Sequence, residues 1–215
     1  IQEINNNPSI DGLIVQSPFP NHISPQKVNE AIAPSKDVDG FHPMNLGLMT
    51  LGLPSYLPAT PMGIMQMLER YHIDISGKTC CVIGRSNIVG TPISILLSRK
   101  AIPGDATVML CHSRTPDIKQ IALQADVLVV ALGRPNFLTA DMVKEGAVVI
   151  DVGINRIEDP TKKSGFRLVG DVDYDNVAPK CSYITPVPGG VGPMTVTSLL
   201  LNTWKAYSGE IYPRL

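Results

Sequence analysis

Residues 84–90, of sequence GRSNIVG, have the composition of a phosphate-binding turn. In dinucleotide-binding loops, glycines allow a tight turn, let the backbone approach the pyrophosphate, and let the helix pack closely on the strand. Gly84 keeps the first of these places and Gly90 can supply the close packing, but Arg85 and Ser86 stand between them. A guanidinium and a hydroxyl can contact phosphate oxygens directly. We therefore predict that Gly84, Arg85 and Ser86 hold the phosphates of a nucleotide cofactor.

The segment CHSRT, residues 111–115, bears on which dinucleotide is bound. In such folds the end of the second strand meets the adenosine ribose, where NAD enzymes place an acid and NADP enzymes favour a cation. No acid follows this strand before Asp117, whereas Ser113 and Arg114 lie at its end. Together with Arg85 they favour NADP as the cofactor. NAD is the alternative, and Arg114 has the alternative of being a solvated surface charge.

Two further glycine loops, ALGRP at residues 131–135 and DVGIN at residues 151–155, each follow an apolar run. Ligands of parallel sheets bind beyond the carboxyl ends of the strands. Gly133 and Gly153 are therefore predicted to let the cofactor approach the backbone closely. The alternative is that both are ordinary turn glycines.

Two acids and an amide are the polar candidates near the start of the chain. Asp37 and Asp39 lie two residues apart, but a hard cation needs more oxygen ligands than this turn displays, so no metal is predicted. A single carboxylate suffices to accept hydrogen bonds from a heterocycle's ring N–H and amino group. Gln16 ends the apolar run DGLIVQ, which predicts a buried strand. This amide is either satisfied within a core or orients a catalytic group.

The loop PVPGGVGPMT, residues 186–195, combines three glycines with three prolines. Exposed backbone with little freedom suits a preorganised wall against a flat ligand, and a cap for the last helix is the alternative. Thr195 is predicted to cap that helix. Its apolar stripe comprises Val196, Leu199, Leu200, Thr203 and Trp204.

The elements that must position these residues alternate along the chain. The apolar runs TCCVIG, ATVMLCH, DVLVVALG and AVVIDVGI are separated by helical or long segments. This alternation predicts a parallel sheet flanked by helices, which is an α/β fold. Residues 53–61 are proline-rich and mark a boundary, after which Thr60 and Pro61 are predicted to start a helix with Ile64 and Leu68 on one face.

Composition excludes several functional classes. A net charge of −1 over 215 residues gives no electrostatic case for binding nucleic acid or a membrane surface. No apolar run approaches the roughly 18 residues that a membrane helix needs. The four cysteines form no C-x-x-C pair, which indicates reduced structural thiols in a cytosolic protein. The chain opens with Ile1 in a polar segment unlike a signal peptide, so we expect a fragment of a longer protein.

Eight segments resemble, in order, the family of bifunctional methylenetetrahydrofolate dehydrogenase/methenyltetrahydrofolate cyclohydrolase proteins. They are DGLIVQSPFP, KDVDGFHPMNLG, PATPMGIMQML, VIGRSNIVGTP, CHSRT, DVGIN, VGDVDY and TPVPGGVGPMT. The resemblance implies a Rossmann-like NADP-binding domain with a parallel sheet, joined to the remainder of a smaller α/β folate-binding catalytic domain. The implied divisions are residues 1–57 for the folate domain, 58–75 for a linking helix, 76–185 for the cofactor domain, and 186–215 for a folate-site loop and a helix that packs back on the catalytic domain.

The resemblance also implies roles for single residues. Gln16 matches the glutamine that hydrogen-bonds the family's catalytic lysine, and Asp39 matches the aspartate that holds the pterin. These two are the candidate catalytic residues, and Val15 and Ser17 flank the folate site. The wall of that site comprises Pro186, Val187, Pro188, Gly189, Gly190, Val191, Gly192, Pro193 and Met194. In the cofactor site the match assigns the phosphates to Gly84, Arg85 and Ser86, the 2'-phosphate to Ser113 and the nicotinamide side to Ile154.

The catalytic Tyr-x-x-x-Lys of the family lies upstream of the DG segment, and no tyrosine of this chain has a lysine four residues later. The resemblance therefore implies a family member without its N-terminal portion. The implied reactions are oxidation of 5,10-methylenetetrahydrofolate by NADP and hydrolysis of the methenyl product to 10-formyltetrahydrofolate, by a cytoplasmic homodimer. The alternative is an NADP-binding module with little or no turnover.

Overall fold

The computed structural model describes residues 1–213, which form an α/β fold. The strands are β1 (Thr79–Ile83), β2 (Thr107–Cys111), β3 (Val127–Val130), β4 (Val148–Asp151), β5 (Asn155–Glu158), β6 (Phe166–Val169) and β7 (Tyr183–Ile184). The α-helices are α1 (Gln2–Asn5), α2 (Pro25–Ala31), α3 (Pro43–Thr50), α4 (Ala59–Arg70), α5 (Gly90–Ser98), α6 (Ile118–Ala122), α7 (Tyr174–Val177) and α8 (Val191–Ser208). Short 3-10 helices span Pro34–Lys36, Ala140–Met142 and Ala178–Lys180.

The main sheet is parallel throughout, with strand order β2-β1-β3-β4-β7. The four apolar runs predicted as strands are β1 to β4, so the predicted parallel sheet is confirmed. In this sheet β2 lies on one side of β1, and β3, β4 and β7 lie on the other side. Ligands of such sheets bind where this order reverses, outside the carboxyl ends of the strands. All the strand-end loops therefore lie along one edge.

Both faces of the sheet are buried, which is why its strands are continuous apolar runs rather than alternating ones. One face packs against α3, α4 and α5, and the other against α6, α7 and the 3-10 helix Ala140–Met142. Adjacent residues Cys80 and Cys81 point to opposite faces. The cysteines are free thiols, as predicted, and burial raises the pKa of Cys80 to about 12. A thiol with so high a pKa is unreactive at neutral pH.

The last helix, α8, packs against α4 and returns to the first part of the chain. Asn202 is buried in α8 and donates from Nδ2 to the carbonyl oxygens of Val38 (2.9 Å) and Leu57 (2.8 Å). Near the end of the chain, the hydroxyl of Tyr212 donates to Asn45 Oδ1 at 2.7 Å. These polar contacts join segments far apart in sequence.

Most of the predicted apolar stripe of α8 faces outward, and only Leu199 of the stripe packs partly buried against Val38, Tyr56 and Ala206. Val196, Leu200 and Trp204 are 60%, 66% and 62% exposed, whereas Ser198 and Asn202 are buried. Small and polar side chains cover the packed face because α8 approaches α4 closely and because Asn202 bonds the backbone carbonyls of Val38 and Leu57, which precede α4. Within residues 1–213, α8 and every other helix are too short or too polar to span a membrane.

Three local predictions were wrong. DGLIVQ is not a buried strand: it makes a single bridge, Leu13 to Asp37, and Ile14 is 42% exposed, because no second strand among the described residues pairs with it. The helix predicted from Thr60 is α4, with Ile64 and Leu68 buried, but Thr60 does not cap it: the helix begins at Ala59, and Pro58 is its N-cap. Thr195 lies inside α8 rather than at its cap, and its hydroxyl lies 3.0 Å from the hydroxyl of Thr60.

Candidate functional site

The turn between β1 and α5 is held open by two glycines that nothing larger can replace. Gly84 has φ of +119°, and a Cβ on it would overlap the carbonyl oxygen of Ala131. A Cβ on Gly90, the first residue of α5, would overlap the carbonyl oxygen of Gly84. Gly90 therefore supplies the close packing of helix on turn expected of it.

Arg85 and Ser86, inside this turn, differ in how freely their side chains could contact a ligand. Ser86 accepts hydrogen bonds at Oγ from the backbone N–H groups of Val89 (3.2 Å) and Gly90 (3.4 Å), so it closes the turn itself. Its hydroxyl hydrogen is still free to be donated to an anion. Arg85 is exposed, and no carboxylate among residues 1–213 pairs with its guanidinium. The turn thus presents one cation and one hydroxyl donor.

The turn after β2 lies beside the glycine turn. The N–H of Gly84 donates to the carbonyl oxygen of Cys111 at 2.9 Å. His112 shapes the second turn: its N–H donates to Thr115 Oγ1 at 2.9 Å, and its Nδ1 accepts from the N–H of Arg114 at 3.2 Å. The side chains of Ser113 and Arg114 are consequently exposed at the tip, where no carboxylate of the described chain forms an ion pair with Arg114.

A phosphate-bearing dinucleotide fits these residues. Two guanidiniums that form no ion pair within residues 1–213 stand at neighbouring strand ends, beside the tight glycine turn that begins α5. At the next strand end, Gly133 has φ of +68° and open space where its Cβ would be. Gly133 is therefore accessible to a ligand.

Gly153, predicted to admit a cofactor, has a different neighbour. A Cβ on it would overlap the carboxylate of Asp171, so its small size makes room for this buried side chain. Its neighbour Ile154 is 63% exposed and borders a cavity of about 200 Å³. The opposite lining of that cavity is the loop Pro186–Pro193. The structure thus brings the predicted nicotinamide neighbour and the predicted folate wall together.

The wall is rigidly held at both ends. Gly190 folds back so closely that a Cβ would lie 2.5 Å from the carbonyl oxygen of Pro186. At the other end, Gly63 of α4 lies against the backbone of Met194, where a Cβ would be 3.0 Å from the Met194 carbonyl carbon. The loop is therefore preorganised before any ligand arrives.

The two acids of the turn 37–39 have separate roles. Asp37 is buried and accepts from the backbone N–H groups of Phe41 (3.2 Å) and His42 (2.8 Å) and from Asn45 Nδ2 (2.8 Å), so it builds the turn. Asp39 is half-buried, and its carboxylate accepts no hydrogen bond from any described residue. Burial, and to a lesser extent the negative charge of Asp37, raise the pKa of Asp39 to about 6. Its oxygens are available to a ligand.

The residues predicted around Gln16 follow the bridge from Leu13 to Asp37 and are mostly exposed. Gln16 is exposed and donates from Nε2 to the carbonyl oxygen of Ser17 at 3.0 Å, Ser17 is also exposed, and Val15 is half-buried. Within residues 1–213 no hydrogen bond joins this segment to Asp39 or to the wall.

A second cleft, of about 680 Å³, also borders the glycine turn. Its lining includes Asn87 and Ile88 of that turn and Thr91 of α5, and on its opposite side Phe41 and Pro43, which follow Asp39 in sequence. The cleft therefore lies between the acidic turn and the cofactor turn.

Two family models match the chain. Residues 58–211 match the model described as tetrahydrofolate dehydrogenase/cyclohydrolase, NAD(P)-binding domain. Residues 1–39 match the model of the tetrahydrofolate dehydrogenase/cyclohydrolase catalytic domain. Together the two matches span most of the sequence, including the glycine turn, the strand-end loops and Asp39.

Individual proteins agree with these models. Bifunctional protein FolD of Cytophaga hutchinsonii is 66% identical over 206 residues, which are 96% of this chain and 71% of that protein. The crystal structure of the Campylobacter jejuni bifunctional FolD, a methylenetetrahydrofolate dehydrogenase/cyclohydrolase, is 48% identical with a TM-score of 0.89, over 97% of this chain and 71% of that one. The Trypanosoma brucei enzyme, complexed with NADP cofactor and an inhibitor, is 38% identical with a TM-score of 0.90, over 98% and 71%. None of these proteins supports the alternative of a module that binds cofactor without turnover.

Proposed function

The chain belongs to the tetrahydrofolate dehydrogenase/cyclohydrolase family, and from this premise we propose that it oxidises 5,10-methylenetetrahydrofolate with NADP and hydrolyses the methenyl product to 10-formyltetrahydrofolate. The observation that carries the proposal is the cavity at which Ile154 faces the loop Pro186–Pro193. A nicotinamide ring beside Ile154 and a folate against the loop would lie next to each other there. Hydride transfer requires such proximity.

We assign the cofactor to the strand-end loops. Gly84 and Ser86 hold its pyrophosphate, Arg85 holds its 2'-phosphate together with Ser113 and Arg114, and Gly133, Gly153 and Ile154 lie at its nicotinamide half. The exposed and unpaired guanidiniums support this assignment, since Arg binds phosphate oxygens in a bidentate manner. When bound, NADP+ accepts the hydride from the methylene carbon of the folate.

We assign the pterin ring to Asp39 and the wall. Asp39 carries the only unsatisfied carboxylate of the turn 37–39, and a pterin presents adjacent ring N–H and amino donors to such a group. The rigid wall, Pro186–Met194, restricts the pterin to one orientation at little entropic cost. Val15, Gln16 and Ser17 complete the folate side by the family resemblance. In that resemblance Gln16 hydrogen-bonds a catalytic lysine, which lowers the pKa of the lysine and suits it to proton transfer during hydrolysis.

The test of this function is the reduction of NADP+ in the presence of 5,10-methylenetetrahydrofolate. The 215-residue chain is assayed beside the same chain preceded by a segment that carries the family's Tyr-x-x-x-Lys, and 10-formyltetrahydrofolate is quantified in parallel. Formation of NADPH and of the formyl product by either protein supports the proposal. If neither protein reduces NADP+ with this folate, the proposed function is wrong.

Replacing Arg85 with alanine should weaken NADP+ binding about tenfold and NAD+ binding by less than about twofold, because one charged phosphate contact contributes about 1.4 kcal/mol. Stability should not change, since Arg85 has no ion-pair partner among the described residues. Dissociation constants of both cofactors are measured by titration, with Arg70→Ala, at the exposed end of α4, as the control. An equal loss for NAD+ and NADP+ would contradict the assignment of Arg85 to the 2'-phosphate.

The finer expectations rest on the family resemblance and on the sequence pattern. These are a homodimer, a cytoplasmic location, and the division of the chain at residues 57, 75 and 185. The dimer is testable by light scattering on the purified chain, where a mass of one protomer, 23.2 kDa, would argue against it.

A further inference from the structure

One fully buried carboxylate lies directly beneath the cofactor loops. Asp171 follows β6 and is 0% exposed. Its Oδ2 accepts from the backbone N–H groups of Leu132 (2.6 Å) and Gly133 (2.9 Å). Its Oδ1 accepts from the N–H of Arg134 (2.8 Å) and from Asn155 Nδ2 (2.9 Å). Four donors therefore converge on one side chain, and no described cation forms an ion pair with it.

A second buried carboxylate holds the turn that carries Asp171. Asp151 Oδ1 accepts from the N–H groups of Gly153 and Asp171, both at 2.9 Å, and its Oδ2 accepts from the N–H of Val172 at 3.0 Å. Gly170 leaves the space for this contact, since a Cβ there would overlap Asp151 Oδ2. Asp151, at the end of β4, thus holds Asp171 in place. Asp171 in turn holds Leu132–Arg134, the loop that follows β3.

We propose that Asp171 is a positioning residue for cofactor binding: its carboxylate sets the backbone of Leu132–Arg134 and, through Asn155, the segment that carries Ile154. The inference deepens the proposed function, on which it rests for the identity of the ligand. Asp171 is 0% exposed and does not itself line the cavity at Ile154, so it acts through these loops rather than on the substrate.

The held segment is one that would not keep its shape unaided. Gly133 and Arg134 are exposed, and Gly133 adopts φ of +68°, which leaves this loop little packing of its own. Hydrogen bonds to a charged acceptor are stronger than those to a neutral one. An asparagine in place of Asp171 has nearly the same shape, but its NH2 group would face one pair of donors. That pair would then lose its hydrogen-bond acceptor.

The sequence carried only a faint sign of this role. Asp171 lies in VGDVDY, one of the segments that carry the family resemblance, which assigns it no role. Its partners, however, lie 37 to 39 residues earlier at the backbone of another loop. Backbone donors are identical at every position of a sequence, so no residue pattern identifies them.

The first arm of the test measures amide hydrogen exchange by NMR in the wild-type chain. The N–H groups of Gly133 and Arg134 belong to exposed residues, so protection from exchange reports their bonds to Asp171. We expect protection in the wild type and a loss of at least about tenfold in Asp171→Asn. Exchange of both amides at unprotected rates in the wild type would overturn the proposal without any variant.

The second arm measures NADP+ binding and the KM for the folate in Asp171→Asn. We expect the dissociation constant of NADP+ to rise about tenfold, equivalent to about 1.4 kcal/mol, while the KM for the folate changes less than about twofold. The matched control is Asp173→Asn, because Asp173 lies two residues away and bonds only Asn176 by its side chain. A folded Asp171→Asn with wild-type affinity for NADP+, or an equal rise in both constants, would overturn the proposal.

A third variant covers the case in which Asp171→Asn does not fold. Asn155→Ala removes one of the four donors and leaves the carboxylate in place, so we expect NADP+ affinity to fall about twofold to threefold. Unchanged affinity in this variant would count against the proposal. If the wild type itself fails to bind NADP+, the proposed function is wrong, while the exchange arm still decides whether Asp171 holds the loop.

Discussion

Replacing Gly90 with alanine is expected to abolish measurable NADP+ binding at ordinary cofactor concentrations, with a dissociation constant raised by at least about a hundredfold, or about 2.7 kcal/mol. The added methyl would overlap the carbonyl oxygen of Gly84, which belongs to the backbone and cannot rotate away. Relief of the overlap requires the turn and α5 to separate, and this separation displaces Arg85 and Ser86 from the phosphates. The same strain should lower the free energy of unfolding by about 1–3 kcal/mol.

The matched control for this substitution is Gly47→Ala. Gly47 is also a helical glycine, within α3, but the space around its missing Cβ is open. Alanine there should leave NADP+ binding unchanged and should stabilise the protein by up to about 1 kcal/mol, since it reduces the entropy of the unfolded chain. Titration of NADP+ and urea unfolding of both variants make the comparison. If Gly90→Ala binds NADP+ as the wild type does, the close approach of α5 to the turn is irrelevant to the cofactor.

The second large effect is expected at Asp39. Asp39→Asn should lower kcat/KM for the folate by about a hundredfold, because an amide loses the negative charge and directs an NH2 group at pterin donors. NADP+ affinity should not change, since the cofactor loops lie elsewhere. Steady-state kinetics with the folate, and NADP+ titration in its absence, separate the two effects. A variant with wild-type kcat/KM would show that Asp39 does not hold the substrate.

The raised pKa of Asp39 predicts the direction of a pH dependence. Only the carboxylate form accepts hydrogen bonds on both oxygens, so kcat/KM should be constant near pH 8 and fall as the pH drops through about 6. Asp39→Asn should lack this acidic limb while keeping its low activity. A wild-type profile that falls only near pH 4, close to the ordinary pKa of a free aspartate, would contradict the burial of this group.

The same ionisation acts on stability with the opposite sign. The folded-state pKa of about 6 lies above the ordinary value of 3.8, so the folded state binds the proton more tightly than the unfolded state does. Asp39 therefore favours folding fully below pH 3.8, and this contribution is lost as the pH rises through about 6. The difference in unfolding free energy between the wild type and Asp39→Asn, followed from pH 3 to 8, measures this loss. The carboxylate thus opposes folding at the pH at which it would bind substrate.

The sequence by itself determined the sheet and the chemistry of its edge. Strands β1, β3 and β4 are buried on both faces, and burial on both faces produces continuous apolar runs that are visible without any structure. Because all strands run in parallel, every loop that follows a strand must lie at one edge. The glycine turn, the CHSRT turn and the Gly133 loop follow β1, β2 and β3, and they therefore lie at that edge.

Only the tertiary structure decided which face of each helix is buried and which distant groups its polar side chains bond. The apolar stripe of α8 lies mostly in solvent because the packed face carries Ser198 and Asn202 instead, and Asn202 donates to the carbonyl of Val38, 164 residues away in sequence. DGLIVQ has the apolar pattern of a strand, but a strand forms only beside a partner, and one bridge to Asp37 is all that residues 1–213 provide. Asp171 recognises backbone N–H groups, which carry no signature in a sequence. The hydrophobic periodicity of a sequence indicates which residues of one element are buried. These contacts depend instead on which distant backbone segments the fold brings together.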